Sequence, residues 1–278
     1  MRKTFLNVML SGVMLLSLSL ACAQTKSQTR YSRREVLIPM RDGIKLNTVI
    51  FTTESAGDPL PILVSRTPYG VSGAPFPDQS TYTKILADEG YIFVTQDIRG
   101  RYKSEGTFEM QRFARDPKNP QAIDESSDAY DTIDWLLKNV ANNNGKVGMY
   151  GIFYDGWTSV MAAVDPHPAL KAISEQASPA DMWIGDDFHH QGAFRLSYGF
   201  EYAFMEEAAK TDTLYQFGVY DTYDWYLKLG PLANVNKKYF LGKLPSWNDF
   251  AKHPNYDLFW QKQSLTNRIE KPRELFRM

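Results

Sequence analysis

Cysteine, histidine and runs of like charge are what this 278-residue sequence has least of. Its one cysteine, Cys22, excludes an intrachain disulfide and leaves no thiol for a cysteine-nucleophile mechanism. The four histidines are His167, His189, His190 and His253. No two of them have H-x-x-x-H spacing, and the adjacent His189 and His190 would point in different directions on a helix, so neither a metal site nor a cofactor is expected. The formal net charge is −1 with no basic stretch, which leaves no electrostatic footprint for nucleic acid. The apolar run Val8 to Leu20 is too short for a comfortable membrane span. Arg2 and Lys3 precede that run and the small-x-small triplet Ala21-Cys22-Ala23 follows it, so residues 1–23 read as an export signal cleaved near Ala23. The mature chain would then be periplasmic or secreted. The alternative is a lipoprotein anchored through Cys22, which the preceding Ser19-Leu20-Ala21 fits poorly.

The sequence is rich in aromatic residues, at 14%, enough for a large core and an apolar pocket. Residues 36–40 and 44–51 read as strands joined by a turn at Arg41-Asp42-Gly43. Short buried strands are expected at 62–65 and 91–97, with a helix over 82–89 stopped by Gly90. Asp128 is the expected cap of a further helix carrying Tyr130, Ile133, Leu136, Leu137 and Val140 at helical spacing, ended by the Asn142-Asn143-Asn144-Gly145 run. A strand at 146–150, a helix at 155–164 and a strand near 169–174 complete an α/β pattern with an N-terminal hairpin and a mostly parallel sheet. From Ala180 to about 260 the texture turns helical and reads as a cap. The core is thus assigned to 24–179, with 261–278 as the start of a return to it.

Between the strand at 146–150 and the next helix lies Gly151-Ile152-Phe153-Tyr154-Asp155-Gly156. Its frame is that of a nucleophile elbow, G-x-S-x-G, in which small residues allow a sharp turn that lifts a serine oxygen above the sheet edge. The second glycine is one place beyond the pentapeptide spacing, and the central residue is Phe153, which has no oxygen to attack an acyl carbon. No other G-x-S-x-G occurs, and Ser159 falls inside the following helix, away from the turn.

Six ordered stretches carry a resemblance: Ser65-Arg66-Thr67-Pro68-Tyr69, Gln96-Asp97-Ile98-Arg99-Gly100-Arg101, Ser104-Glu105-Gly106, the elbow, Asp165 to Lys171, and Gly185 to Arg195. Across about residues 32–270 the chain resembles the cocaine-esterase and X-Pro dipeptidyl-peptidase superfamily, most closely its α-amino-acid ester hydrolases and glutaryl cephalosporin acylases. The resemblance implies an α/β-hydrolase core, a helical cap and a C-terminal jelly roll, with a Ser-Asp-His triad in that chain order. The serine aligns with Phe153, and the acid and histidine of the family fall beyond Met278, as do the last core strands and the jelly roll. The resemblance also implies that the Tyr69 hydroxyl and the N–H of Tyr154 form the oxyanion hole, and that Asp187 helps hold a substrate's α-ammonium group. The family reaction is hydrolysis of small esters or amides with an α-amino acyl group, or of X-Pro peptides.

The expectation is therefore a chain that keeps a pocket and lacks catalysis. A truncated coding frame explains it most simply; a pseudoenzyme binding a small amine-bearing ligand, or an error in the sequence, are the alternatives. Asp97, Arg99 and Arg101 are expected to be structural, with Asp97 paired to a nearby arginine. The strand near 169–174 is expected to be an edge that is apolar on both faces, which would favour self-association.

Overall fold

The chain opens with two long strands, β1 (Tyr31–Pro39) and β2 (Lys45–Thr53), in antiparallel register from Tyr31 opposite Thr53 to Pro39 opposite Lys45. The turn between them needs Gly43, whose φ of +88° suits glycine alone among common residues. The computed structural model describes residues 30–53, 57–116, 118–119 and 121–267. The leader and its cleavage site lie outside the described residues, as does the segment after 267. Among the described residues, no helix is long and apolar enough to cross a membrane.

The remaining strands are β3 (Leu60–Thr67), β4 (Ile92–Asp97), β5 (Asn143–Ile152) and β6 (Leu170–Gln176). With the hairpin they form one six-stranded sheet in the order β1-β2-β4-β3-β5-β6, and every pairing from β4 to β6 is parallel. The apolar runs predicted as buried strands are buried: Ile62, Val64, Ile92 and Val94 all lie in the main core. The connection from β3 reaches β4 through α1 (Lys84–Glu89), which ends at Gly90 in a left-handed conformation. The connection from β4 then crosses β3 through α2 (Glu125–Asn139) to β5, and α3 (Tyr154–Ala162) leads to β6. The strand order thus reverses at β3. In open parallel sheets, sites form at such a switch, beyond the carboxyl ends of the strands.

Beyond β6 a two-strand hairpin, β7 (His189–His190) and β8 (Ala193–Phe194), precedes a helical segment. It comprises α4 (Leu196–Glu207), α5 (Thr222–Leu229), α6 (Pro245–Lys252) and α7 (Leu258–Gln263), with a π-helical turn at Asn236–Phe240. Its centre is Phe200, fully buried and packed edge-on or stacked against Tyr215, Trp225, Phe240 and Trp247.

Four sequence expectations need correction. The cap of α2 is Asp124, not Asp128. The Asp124 carboxylate accepts from the Ser127 N–H at 2.7 Å while the Ser127 hydroxyl accepts from the Asp124 N–H at 2.9 Å, a reciprocal capping box. Asp128 sits one turn inside and is buried, taking two bonds from Arg99. Asp97 does not pair with the nearby arginine: its Oδ2 accepts from Asn47 Nδ2 at 2.9 Å, because Arg99 turns instead toward Asp42 and Asp128. His189 and His190 lie on a strand, not a helix, with His189 buried and His190 exposed. Finally, β6 ends the sheet among the described residues, and it is polar rather than apolar. Lys171, Ser174, Glu175 and Gln176 are exposed and only Leu170 is fully buried, a composition that discourages edge-to-edge pairing.

The two aspartates of α2 carry different loads. Replacing Asp124 by Ala removes the cap and the bond its carboxylate accepts from the Arg115 N–H at 2.8 Å, and is expected to cost about 2 kcal/mol. Replacing Asp128 by Ala leaves buried Arg99 with Asp42 alone and is expected to cost roughly 3–5 kcal/mol. Urea unfolding of both variants checks this; equal losses would contradict the separation of cap from buried ion pair.

Candidate functional site

The elbow is built as its frame requires. Phe153 has φ +56° and ψ −119°, a strained conformation for a residue with a side chain. The chain doubles back so tightly that a Cβ on Gly151 would lie 2.3 Å from the Asp155 carbonyl carbon. A Cβ on Gly156 would lie 2.7 Å from the Gln176 carbonyl oxygen at the end of β6. Both glycines are steric necessities, and the displaced second glycine serves helix-to-strand packing. The turn presents Phe153 outward, 56% exposed. Ser159 is buried and donates to the Asp155 carbonyl, so its hydroxyl is occupied within the helix.

Tyr69 follows β3 just as Phe153 follows β5, so the two stand at the carboxyl ends of neighbouring strands. A cavity of about 230 Å³ collects Tyr69, Phe153, Tyr154 and Asp187 on its walls, with Tyr198 and Tyr202 from α4 closing it. All four residues singled out in the sequence therefore border one space. Tyr154 is the first residue of α3, where a backbone N–H has no intrahelical acceptor. Its side chain turns into the core, and its hydroxyl accepts from the Gln111 N–H at 2.8 Å.

The Tyr69 and Tyr202 hydroxyls are 2.9 Å apart. Burial raises the pKa of both phenols above the usual tyrosine value, so each stays neutral and able to donate at ordinary pH. The Tyr198 hydroxyl donates to Asp187 Oδ2 at 3.0 Å, and Arg195 Nη1 lies 3.9 Å from Oδ1. Tyr198 and Tyr202 are one helical turn apart and stack at 5.5 Å with rings nearly parallel. The sequence reading missed both. Their four-residue spacing was the available signal, but on an aromatic-rich helix it reads as core packing.

Of the acidic pair, only Asp187 borders the cavity. Asp186 caps local backbone, accepting from the N–H groups of Ala180 and Asp187, and burial together with the neighbouring Asp187 raises its pKa to about 6. None of the histidines lines this cavity among the described residues. His253 Nδ1 is 2.6 Å from Asp257 Oδ2, and its ring stacks on Phe259. His189 Nδ1 is bonded to the Met182 carbonyl and its ring packs on Trp183. Among the described residues, no group of three or more His, Cys, Asp or Glu is placed to hold a metal ion.

Comparison with known proteins places this geometry. The model of the X-Pro dipeptidyl-peptidase (S15) family matches residues 42–274. The cocaine esterase of Rhodococcus sp. (strain MB1 Bresler) is 30% identical over 247 residues, covering 84% of this chain and 41% of that protein. An aminopeptidase from a marine sediment archaeon, Thaumarchaeota archaeon, superposes with a TM-score of 0.80 at 38% identity over 88% of this chain and 42% of its own. An α-amino acid ester hydrolase superposes with a TM-score of 0.78 at 40% identity over 87% of this chain and 41% of its own. The chain thus spans about two fifths of the length of these relatives.

The elbow generates two testable outcomes. Phe153→Gly should raise stability by ~1 kcal/mol, since glycine adopts this backbone without strain and the lost side chain is largely exposed; a lower urea midpoint would contradict the strain. Asp155 supplies a pH test. Burial raises its pKa from 3.8 to about 7, against the lowering effect of hydrogen bonds from Thr67 and Ser65. A carboxyl with a raised folded-state pKa favours folding while protonated. Its contribution is largest below about pH 3.8 and is lost as pH rises through about 7. Asp155→Asn should therefore gain on the wild type in melting temperature between pH 5 and pH 8; a constant difference across that range would contradict the assignment.

Proposed function

Because this chain belongs to the X-Pro dipeptidyl-peptidase (S15) family, we propose that it retains the substrate-binding pocket of a serine hydrolase and binds a small amine-bearing acyl compound without cleaving it. The family is one of serine hydrolases acting on esters and peptides. In that reaction a serine attacks the acyl carbon, a histidine moves the proton, and two donors hold the oxyanion. Here the elbow keeps its strained turn while presenting Phe153, and that is the observation carrying the proposal.

Phenylalanine supplies no nucleophile. The oxyanion donors are a different matter. The Tyr69 hydroxyl and the Tyr154 N–H are the two groups we assign to an acyl oxygen, and a ligand would take the Tyr69 hydroxyl from Tyr202. Asp187 is assigned to the ligand's ammonium group, where a carboxylate already held by Tyr198 loses little freedom on pairing. Its contact with Arg195 is long and half exposed, so an incoming cation competes against little.

The test has a chemical and a binding arm. Purified chain should show no turnover of a p-nitrophenyl ester or an α-amino ester, and no covalent labelling by a fluorophosphonate; labelled serine with turnover above a heat-killed control would overturn the proposal. Phe153→Ser alone should stay inactive, because among the described residues no histidine borders the cavity to act as base. Asp187→Asn should weaken binding of an α-amino amide by about tenfold or more, the worth of one charge-assisted hydrogen bond.

A further inference from the structure

The group assigned to an acyl oxygen is already in use. The Tyr69 hydroxyl lies 2.9 Å from the Tyr202 hydroxyl, and both residues line the candidate pocket. Each hydroxyl carries one proton, so one donates and the other accepts. Burial raises the pKa of both phenols, and further for Tyr202. The more acidic hydroxyl is the better donor and the less acidic one the better acceptor, so the bond runs from Tyr69 to Tyr202.

The surroundings hold the two tyrosines to this contact. Arg101 donates through Nε to the carbonyl of Pro68, the residue before Tyr69, and through Nη1 to the carbonyl of Glu206, one helical turn beyond Tyr202. The Tyr202 ring is stacked on Tyr198 at 5.5 Å and packed against Phe188 at 5.9 Å. Its hydroxyl cannot withdraw without moving those rings. Breaking the tyrosine pair to form a bond from Tyr69 to a carbonyl exchanges one neutral hydrogen bond for another, and it leaves the Tyr202 oxygen without its donor. The net gain from a ligand's carbonyl is therefore small while Tyr202 competes for the same proton.

We propose that Tyr202 is a specificity-determining residue that masks the Tyr69 donor: its oxygen takes the proton an acyl oxygen would take, so a ligand's carbonyl binds at Tyr69 only by displacing it. The hydroxyl of Tyr202 thus sets how strongly the pocket prefers a compound with a carbonyl over one without. The inference rests on the reading of Tyr69 as the acyl-oxygen donor, and the experiment separates the two.

Leucinamide and isopentylamine, which differ by the carboxamide alone, are titrated calorimetrically into the full chain and into its Tyr202→Phe, Tyr69→Phe and double variants, with a thermal melt of each. Tyr202→Phe should tighten leucinamide about tenfold and leave isopentylamine unchanged, while the melting temperature falls because Tyr69 loses its partner. A residue that only supports the fold would lose affinity and melting temperature together. In the double variant the gain should vanish. Unchanged or weaker leucinamide binding by Tyr202→Phe overturns the mask, and it leaves the acyl-oxygen donor standing where Tyr69→Phe still removes the preference for leucinamide. Absence of leucinamide binding, or indifference to Tyr69→Phe, overturns both. In the wild type carrying ¹³C-labelled tyrosine, the Cζ signals of Tyr69 and Tyr202 should both shift with leucinamide and stay in place with isopentylamine. A Tyr202 signal that does not move with leucinamide overturns the mask whether or not Tyr202→Phe folds.

Discussion

The buried guanidinium of Arg101 is the constraint on which the site depends. It is fully buried at the carboxyl end of β4, and its Nε donates to the Pro68 carbonyl at 3.0 Å, the residue before Tyr69. Its other nitrogens reach the end of α4 and the turn beyond it, where they meet the carbonyls of Glu206 and Ala209 and the carboxylates of Glu206 and Asp212. One side chain therefore ties the loop that carries Tyr69 to the helix that carries Tyr202. A buried charge without partners would cost several kcal/mol, roughly 3–5 when one partner of a pair is removed. The loop and the helix are held together by that penalty as much as by attraction. Glu206 shows the tension, since burial drives its pKa up to about 8 although Arg101 beside it pulls the other way.

Two more arginines repeat the device deeper in the sheet. Arg66 at the end of β3 reaches Gln96 and Glu125, and Arg99 beyond β4 bridges Asp42 of the first hairpin to Asp128 of α2. Three cations thus fix the carboxyl ends of β3 and β4. Replacing such a network with apolar residues of equal volume could cost nothing in stability. What it supplies here is direction, because guanidinium forks bind only where the carbonyls and carboxylates are correctly aimed.

Most of the sheet was legible in the sequence because each strand combined an apolar run with a glycine or Asx turn. The elbow was legible for the same reason: Gly151 and Gly156 are demanded by contacts under 3 Å, and the spacing of glycines survives whatever residue stands between them. What was not legible depended on competition between equivalent groups. Asp124 and Asp128 are both plausible caps by position, and only the presence of a buried arginine above α2 decides that Asp128 is occupied elsewhere. Asp97 was assigned an arginine because two lie close in sequence, but strand geometry turns them away and leaves Asn47 as its neighbour. The β6 edge was expected to be apolar because parallel strands usually are, whereas Lys171, Ser174 and Glu175 make it polar. Tyr198 and Tyr202 were hidden among other aromatics that serve the core.

Pocket and nucleophile are separable in this architecture because different forces hold them. Tyr69, Tyr202 and the α4 helix are positioned by buried ion pairs and aromatic packing that do not involve residue 153. The elbow turn is positioned by two glycines and by the Phe153 N–H donating to the Gln176 carbonyl at 2.9 Å. Exchange of the central side chain therefore disturbs neither. Phe153 places an exposed ring on the wall of the cavity. The turn at Phe153 is strained. The backbone keeps it because β5, α3 and β6 are packed around that turn, and relaxing it would mean moving all three.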